Sequence, residues 1–210
     1  MKTRVFNLII LDESGSMQSI KKEAVASVNE TVQTICAAQK EHEEQEHFVS
    51  LVTFNTKANF IYDCVLAKEV KELTGEAYRP NCGTALYDAM GMSLNALRPK
   101  AAENDRVLVT VVTDGYENAS REYNGKAIKA LVDELKGKGW IFAYIGANQD
   151  VEQVAATISI TNTMAFQATS EGTKHMSIRV NESRKSFFSR LSSKCFDSAA
   201  ENEHFFDEEA

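Results

Sequence analysis

The sequence predicts an α/β domain: a three-layer sandwich with a mainly parallel central sheet, helices on both faces and one antiparallel edge strand. Three observations predict it. Apolar runs of strand length alternate with stretches of helical period along most of the chain. The run Val107-Leu108-Val109-Thr110-Val111-Val112 suits a central strand buried on both faces. Asn55-Thr56-Lys57 is too short for a crossover helix, so the strand after it should return antiparallel.

The elements follow in order. The first strand spans Arg4 to Leu11 and carries no charge from Val5 until Asp12. Val25, Val28, Val32, Ile35 and Cys36 step mostly by three and four, which makes about Ser19 to Lys40 an amphipathic helix. Phe48 to Phe54 is the second strand, and Ala58 to Val65 is its antiparallel return. Leu86, Met90, Leu94 and Leu97 mark a helix over Thr84 to Leu97, which Pro99 stops. Arg106 to Thr113 is the fourth strand. Ile128, Leu131, Val132 and Leu135 define a helix over Lys126 to Lys136, ended by Gly137 and Gly139. Trp140 to Gly146 is a strand, and a short helix follows near Val151 to Ile158. Thr163 to Gln167 reads as a weak last strand and Met176 to Leu191 as a closing helix. One domain over residues 1–193 and an acidic tail over 194–210, frayed from Glu201 onward, complete the division.

With 210 residues, 43% of them hydrophobic and 25% charged, the chain can bury one sizeable core. A formal net charge of −7 with no basic stripe argues against a nucleic-acid or anionic-membrane binder. Cys36, Cys64, Cys82 and Cys195 have no metal-ligand spacing and do not suggest a disulfide scaffold. Free thiols in a reducing cytosol are the expectation. The basic Met1-Lys2-Thr3-Arg4 followed by apolar residues faintly suggests a secretory leader. The uncharged stretch ends at Asp12 with no small-residue cleavage site, so a buried strand explains it better. No run approaches the ~18 apolar residues of a membrane span.

The residues richest in chemistry are Asp12-Glu13-Ser14-Gly15-Ser16, just past the first strand. Asp12, Ser14 and Ser16 alternate, so a tight loop can turn three oxygen-bearing side chains toward one point. Oxygen donors with few negative charges suit a hard divalent cation such as Mg²⁺ and not zinc. Asp114 follows the fourth strand; if the first and fourth strands are neighbours, Asp12 and Asp114 face one crevice at the sheet's carboxyl edge. Each residue also has a plainer use. Ser14, Ser16 and Thr84 fit helix N-caps, Asp114-Gly115 fits a turn, and Glu13, His42 and His47 fit solvated positions. Cys82 fits quiet packing or an oxidisable thiol. Tyr116-Glu117-Asn118 fits either a partner contact or ordinary loop surface.

Together these residues resemble the von Willebrand factor type A domain with its metal-ion-dependent adhesion site. Asp12-Glu13-Ser14-Gly15-Ser16 matches the family's Asp-x-Ser-x-Ser, Thr84 in Asn81-Cys82-Gly83-Thr84 its second element, and Asp114 in Val111-Val112-Thr113-Asp114-Gly115 its third. The elements stand in family order, and the resemblance spans roughly Arg4 to Phe166. It implies a Rossmann-like fold and a metal site of Asp12, Ser14, Ser16, Thr84 and Asp114 for Mg²⁺, with Mn²⁺ or Ca²⁺ as substitutes. Hydroxyls would ligate directly and the carboxylates mainly through waters. A partner's acidic side chain would fill the open position.

The function expected from this is a non-catalytic, metal-dependent protein-binding module in the cytosol. Its partner would be a protein presenting an acidic residue. Intracellular relatives imply an AAA-type ATPase or a stress-response complex as candidates. The alternatives are a Mg²⁺-dependent phosphohydrolase of haloacid dehalogenase type and a metal-free scaffold. The former needs a general acid two residues after Asp12, where Ser14 stands.

Overall fold

The computed structural model describes residues 2–191 and 196–206. Its strands are β1 (Thr3–Asp12), β2 (Gln45–Phe54), β3 (Ala58–Leu66), β4 (Arg106–Thr113), β5 (Trp140–Gly146) and β6 (Asn162–Ala165). Its helices are α1 (Lys21–Glu41), α2 (Leu86–Leu97), α3 (Gly125–Lys136), α4 (Val151–Thr157), α5 (Ser170–Leu191) and α6 (Ser198–His204). The strands form one sheet in the order β3-β2-β1-β4-β5-β6. Neighbours from β2 to β6 pair parallel, and β2–β3 pairs antiparallel as the three-residue connection requires. The α/β class and the single antiparallel edge strand are therefore as expected.

The sheet is buried on both faces, which is why its central strands are apolar without alternation. On β1, Phe6, Leu8 and Ile10 face a core with Leu86, Met90 and Leu94 of α2, Ile128 and Val132 of α3, and Ala155 of α4. Val5, Ile9 and Leu11 face the opposite core with Ala24, Val28 and Ile35 of α1 and Phe187 and Phe188 of α5. The chain leaves β1 toward β2 on one side, and β4, β5 and β6 extend on the other. The order thus reverses between β1 and β4, which opens a crevice at their carboxyl ends.

Several boundaries differ from the sequence reading. A 3-10 turn over Gly15–Ile20 precedes α1. Helix α2 starts at Leu86 and not at Thr84, because the Thr84 carbonyl accepts from the third loop, from Asn118 N at 3.0 Å and Ala119 N at 3.2 Å, and not from the next helical turn. Helix α5 starts at Ser170, six residues before its apolar period becomes visible, and Thr173 Oγ1 donates to Thr169 O at 2.8 Å in its polar first turn. His47 is no solvated loop residue. It is buried on β2, with its ring edge-on to Phe188 at 4.6 Å and its Nε2 2.9 Å from Gln45 Oε1. Burial, helped by the charges of His42 and Arg184, holds its pKa down to about 4.

Residues 196–206, within the expected tail, carry α6 and pack on the domain. Asp197 caps α6 by accepting from Ala199 N at 2.9 Å. Asn202 donates to Trp140 O at 2.8 Å and accepts from Phe142 N at 3.0 Å, so it closes backbone groups of β5. Glu201 pairs with Arg190 at 2.6 Å, and Phe205 is buried 5.9 Å from the Phe187 ring. The boundary expected at 193/194, Cys195 and the last four residues lie outside the described residues. Cys36, Cys64 and Cys82 are free.

Candidate metal centre

The crevice is built from three loops. Asp12 is the last residue of β1 and is fully buried. One of its carboxylate oxygens accepts from Ser14 N at 2.6 Å and the other from Thr113 Oγ1 at 2.6 Å, which joins the ends of β1 and β4. Ser14 Oγ lies 3.1 Å from Ser16 Oγ, and Ser16 Oγ donates to Asp114 Oδ1 at 2.5 Å. Gly115 places the third loop close to the other two: a Cβ there would stand 3.4 Å from Thr84 Oγ1 and 3.6 Å from Ser16 Oγ. All five expected residues therefore meet in one crevice. Asp12, Ser14, Thr84 and Asp114 are buried in its walls, and Ser16 is exposed at its mouth.

The plainer readings of the hydroxyls do not describe this geometry. Ser14 flanks the 3-10 turn without a side-chain cap bond, and the residue flanking α2 is Ala85, also without one. The set fits a hard cation instead. It is all oxygen, and its Oγ spacing is close to the ~3 Å between neighbouring oxygens around an ion with Mg²⁺-like bond lengths. Among the described residues no group of three or more His, Cys, Asp or Glu is placed to hold a metal, so hydroxyls carry much of this donor set. Burial pushes the Asp12 carboxyl up to about 6; the Thr113 and Ser14 bonds oppose this, and Asp114 adds to it. Burial also raises Asp114, against the Ser16 bond. A divalent cation would supply the positive charge that these desolvated acids lack.

The support around the crevice was missed by sequence reasoning. Glu13 faces inward: its carboxylate accepts from Arg79 N, its carbonyl accepts from Asn81 N at 2.9 Å, and its N–H donates to Phe54 O at 2.6 Å. Tyr78 donates its hydroxyl to Asp12 O. Gly15 N donates to Cys82 O at 3.1 Å, and Cys82 adopts φ +60° with its side chain exposed, so quiet packing does not describe it. Glu117 accepts from Tyr87 N at 3.0 Å, Ala119 N at 2.9 Å, and both Ser120 N and Oγ at 2.7 Å. It thereby ties the third loop to the start of α2 and places a negative charge at that helix's positive end. Asp88 accepts three backbone N–H groups, from Arg121, Glu122 and Tyr123. Apart from the Glu117 bonds to Ala119 and Ser120, these partners lie 30 to 68 residues from one another in sequence, and no local pattern announces them.

Gly83 sits where the second and third loops touch. A Cβ there would stand 2.7 Å from Asn118 Oδ1 and 3.3 Å from Ala119 Cβ. Gly83→Ala is expected to cost roughly 1–3 kcal/mol by forcing the loops apart. It should also blunt any metal-induced rise in melting temperature. Thermal melts with and without Mg²⁺ check both; unchanged melts would mean the loops give way freely.

A model of the von Willebrand factor type A domain family matches residues 8–179. No match is found among curated proteins. Solved structures with a similar fold include the PilB minor pilin from Streptococcus sanguinis, at 13% identity and TM-score 0.63, covering 92% of this chain and 64% of that one. A von Willebrand factor type A protein from Catenulispora acidiphila is 15% identical with TM-score 0.57, covering 84% of this chain and 42% of that one. The ArnB paralog VWA2 from Sulfolobus acidocaldarius is 15% identical with TM-score 0.59, covering 86% and 45% respectively. The chain spans less than two thirds of each of these proteins, and at such identities they show the fold alone. The family match covers most of the sequence and includes all three loops of the crevice. The chain belongs to the von Willebrand factor type A domain family.

Proposed function

We propose that this domain is a metal-dependent protein-binding module. One observation carries the proposal: two buried carboxylates and three hydroxyls from three loops converge on a crevice whose mouth is open at Ser16. Domains of this family generally act as interaction modules without catalysis and commonly bind a divalent metal. Asp12, Ser14, Ser16, Thr84 and Asp114 would hold Mg²⁺ or Mn²⁺. The bound ion would supply an under-neutralised positive charge at a concave surface.

The chain's own residues would do the rest. Thr113 and Ser14 fix Asp12, Ser16 fixes Asp114, and the Asn118 bond fixes Thr84. This preorganisation lowers the ordering cost of binding. A protein partner presenting Asp or Glu to the ion is the complementary chemistry. The net charge of −7 gives such a carboxylate no general attraction, so its affinity would come from the ion. The cytosolic setting and an AAA-type ATPase or stress-response complex as partner belong to the same proposal. Pilin proteins appear among the solved structures of similar fold, which supports an interaction role more broadly.

The test is calorimetric titration and thermal melting of metal-stripped protein. Mg²⁺ or Mn²⁺ should raise the melting temperature by mass action, by an amount that grows with metal concentration. Thr84→Ala should reduce the rise without loss of circular dichroism. The absence of both heat and melting shift at millimolar metal would overturn the proposal.

A further inference from the structure

Arg184 is a buried charge with no counter-charge among the described residues. It projects from α5 into the core and is fully inaccessible to solvent. One terminal nitrogen donates to Asn7 Oδ1 at 3.2 Å on β1, and the other donates to Thr110 Oγ1 at 2.8 Å on β4. Both acceptors are neutral. The buried Nε–H has no hydrogen-bond partner among the described residues. No ion pair to Arg184 occurs among the described residues, and burial pushes its pKa down to about 10 with no carboxylate opposing the shift. Its field reaches His47, the nearby titratable ring, which is held neutral. Buried guanidinium groups are ordinarily paired, because an isolated charge in an apolar interior is costly.

Arg184 also lines a cavity of about 20 Å³ enclosed by β1, β4, α1 and α5, with Ile9, Leu11, Val28 and Met176 among its walls. That volume admits one particle of about the size of a water molecule. Thr110 lines the same cavity, and its hydroxyl hydrogen is used in no described bond. The cavity adjoins the surface through a thin wall. Ser27 and Thr173 line both this cavity and an outer groove between α1 and α5, whose rim carries Lys22 and Lys174. The groove's acids, Glu23 and Glu30, accept from the Ser170 and Ser177 hydroxyls.

We propose that this cavity is a site for one small monovalent anion of halide size, held by the Arg184 guanidinium and the Thr110 hydroxyl. One guanidinium balances one negative charge, so a divalent anion would leave a buried excess. An organic carboxylate exceeds the volume. The site lies in the core behind α5, apart from the metal crevice. It can therefore be tested with that crevice stripped of metal, and its failure would leave the metal proposal untouched.

The experiment is thermal melting of the metal-free protein in EDTA at constant ionic strength, with sodium gluconate exchanged stepwise for sodium chloride. Chloride should raise the melting temperature along a saturating curve, bromide should do the same, and gluconate should not. Arg184→Met should abolish the difference between chloride and gluconate. Should that variant not fold, Thr110→Val retains the guanidinium and should shift the chloride midpoint several-fold upward. In crystals soaked with bromide, an anomalous peak should stand beside Arg184. Identical melting of the wild type in chloride and gluconate, a chloride response undiminished in the variants, or a bromide map without that peak would each overturn the proposal.

Discussion

Asp12→Asn is expected to abolish the melting response to Mg²⁺ and to stabilise the metal-free protein at neutral pH, by about 3 kcal/mol at most. The carboxyl is fully buried, and its pKa stands at about 6 against an ordinary 3.8. A raised acid favours its neutral form in the folded state. Its contribution is therefore complete below pH 4 and is lost as pH rises through about 6, with about half of the loss between pH 5 and 7. Asparagine carries no charge to lose. It can still accept from Ser14 N and turn its amide toward Thr113 Oγ1. His47 acts in the opposite direction: its depressed pKa contributes stability above pH 6.5 that disappears as pH falls toward about 4. That contribution is common to both proteins and cancels in their difference. Urea unfolding of wild type and variant in EDTA at pH 5 and pH 7.5 measures it. A difference that does not change with pH would show that Asp12 is not the strained acid. A variant that keeps the full Mg²⁺ response would remove Asp12 from the metal site.

Phe187→Ala is expected to destabilise the fold by about 3–5 kcal/mol. The ring is fully buried, and three others surround it: Phe188 at 5.8 Å, Phe196 at 6.0 Å and Phe205 at 5.9 Å. Removing it leaves a void between α5, the sheet and the segment carrying α6. It also loses aromatic contacts with three partners that reach it from two separate stretches of chain. The single tryptophan, Trp140, is buried in the opposite core and reports whether the loss is global. Urea titrations followed by its fluorescence should show one transition at lower denaturant. A loss under about 1 kcal/mol would mean that α5 and α6 close the void cheaply.

The sheet and five of its flanking helices were legible because the central strands are apolar runs and the helices carry an apolar period over most of their length. Val5 to Leu11 and Val107 to Val112 place β1 and β4 without ambiguity. The five crevice residues were legible because they sit where strands end, and Asp12, Ser14 and Ser16 share one short loop. What lay hidden has a common cause. The first turns of α5 are polar, and the acidic composition near the end masked Phe205 and the hydrogen bonds of Asn202. His47 looked like a loop residue because charged residues precede it, yet β2 begins at Gln45. Glu13, Tyr78, Glu117 and Asn118 are ordinary polar residues whose role is set by backbone groups far along the chain. Periodicity carries no record of such bonds.

The spacing of the crevice along the chain has a consequence for its assembly. The bonds Ser16–Asp114 and Thr113–Asp12 join residues 98 and 101 positions apart. β1 lies at the centre of the sheet, yet its second neighbour, β4, arrives only after β2, β3 and α2. Four of the five donors thus precede β4, while the acid and the hydroxyl that lock them arrive with its end. Closing so long a loop is among the slower events in folding. A chain halted before residue 113 holds loose hydroxyls and an unbraced Asp12, so a competent crevice marks a chain that has finished its sheet.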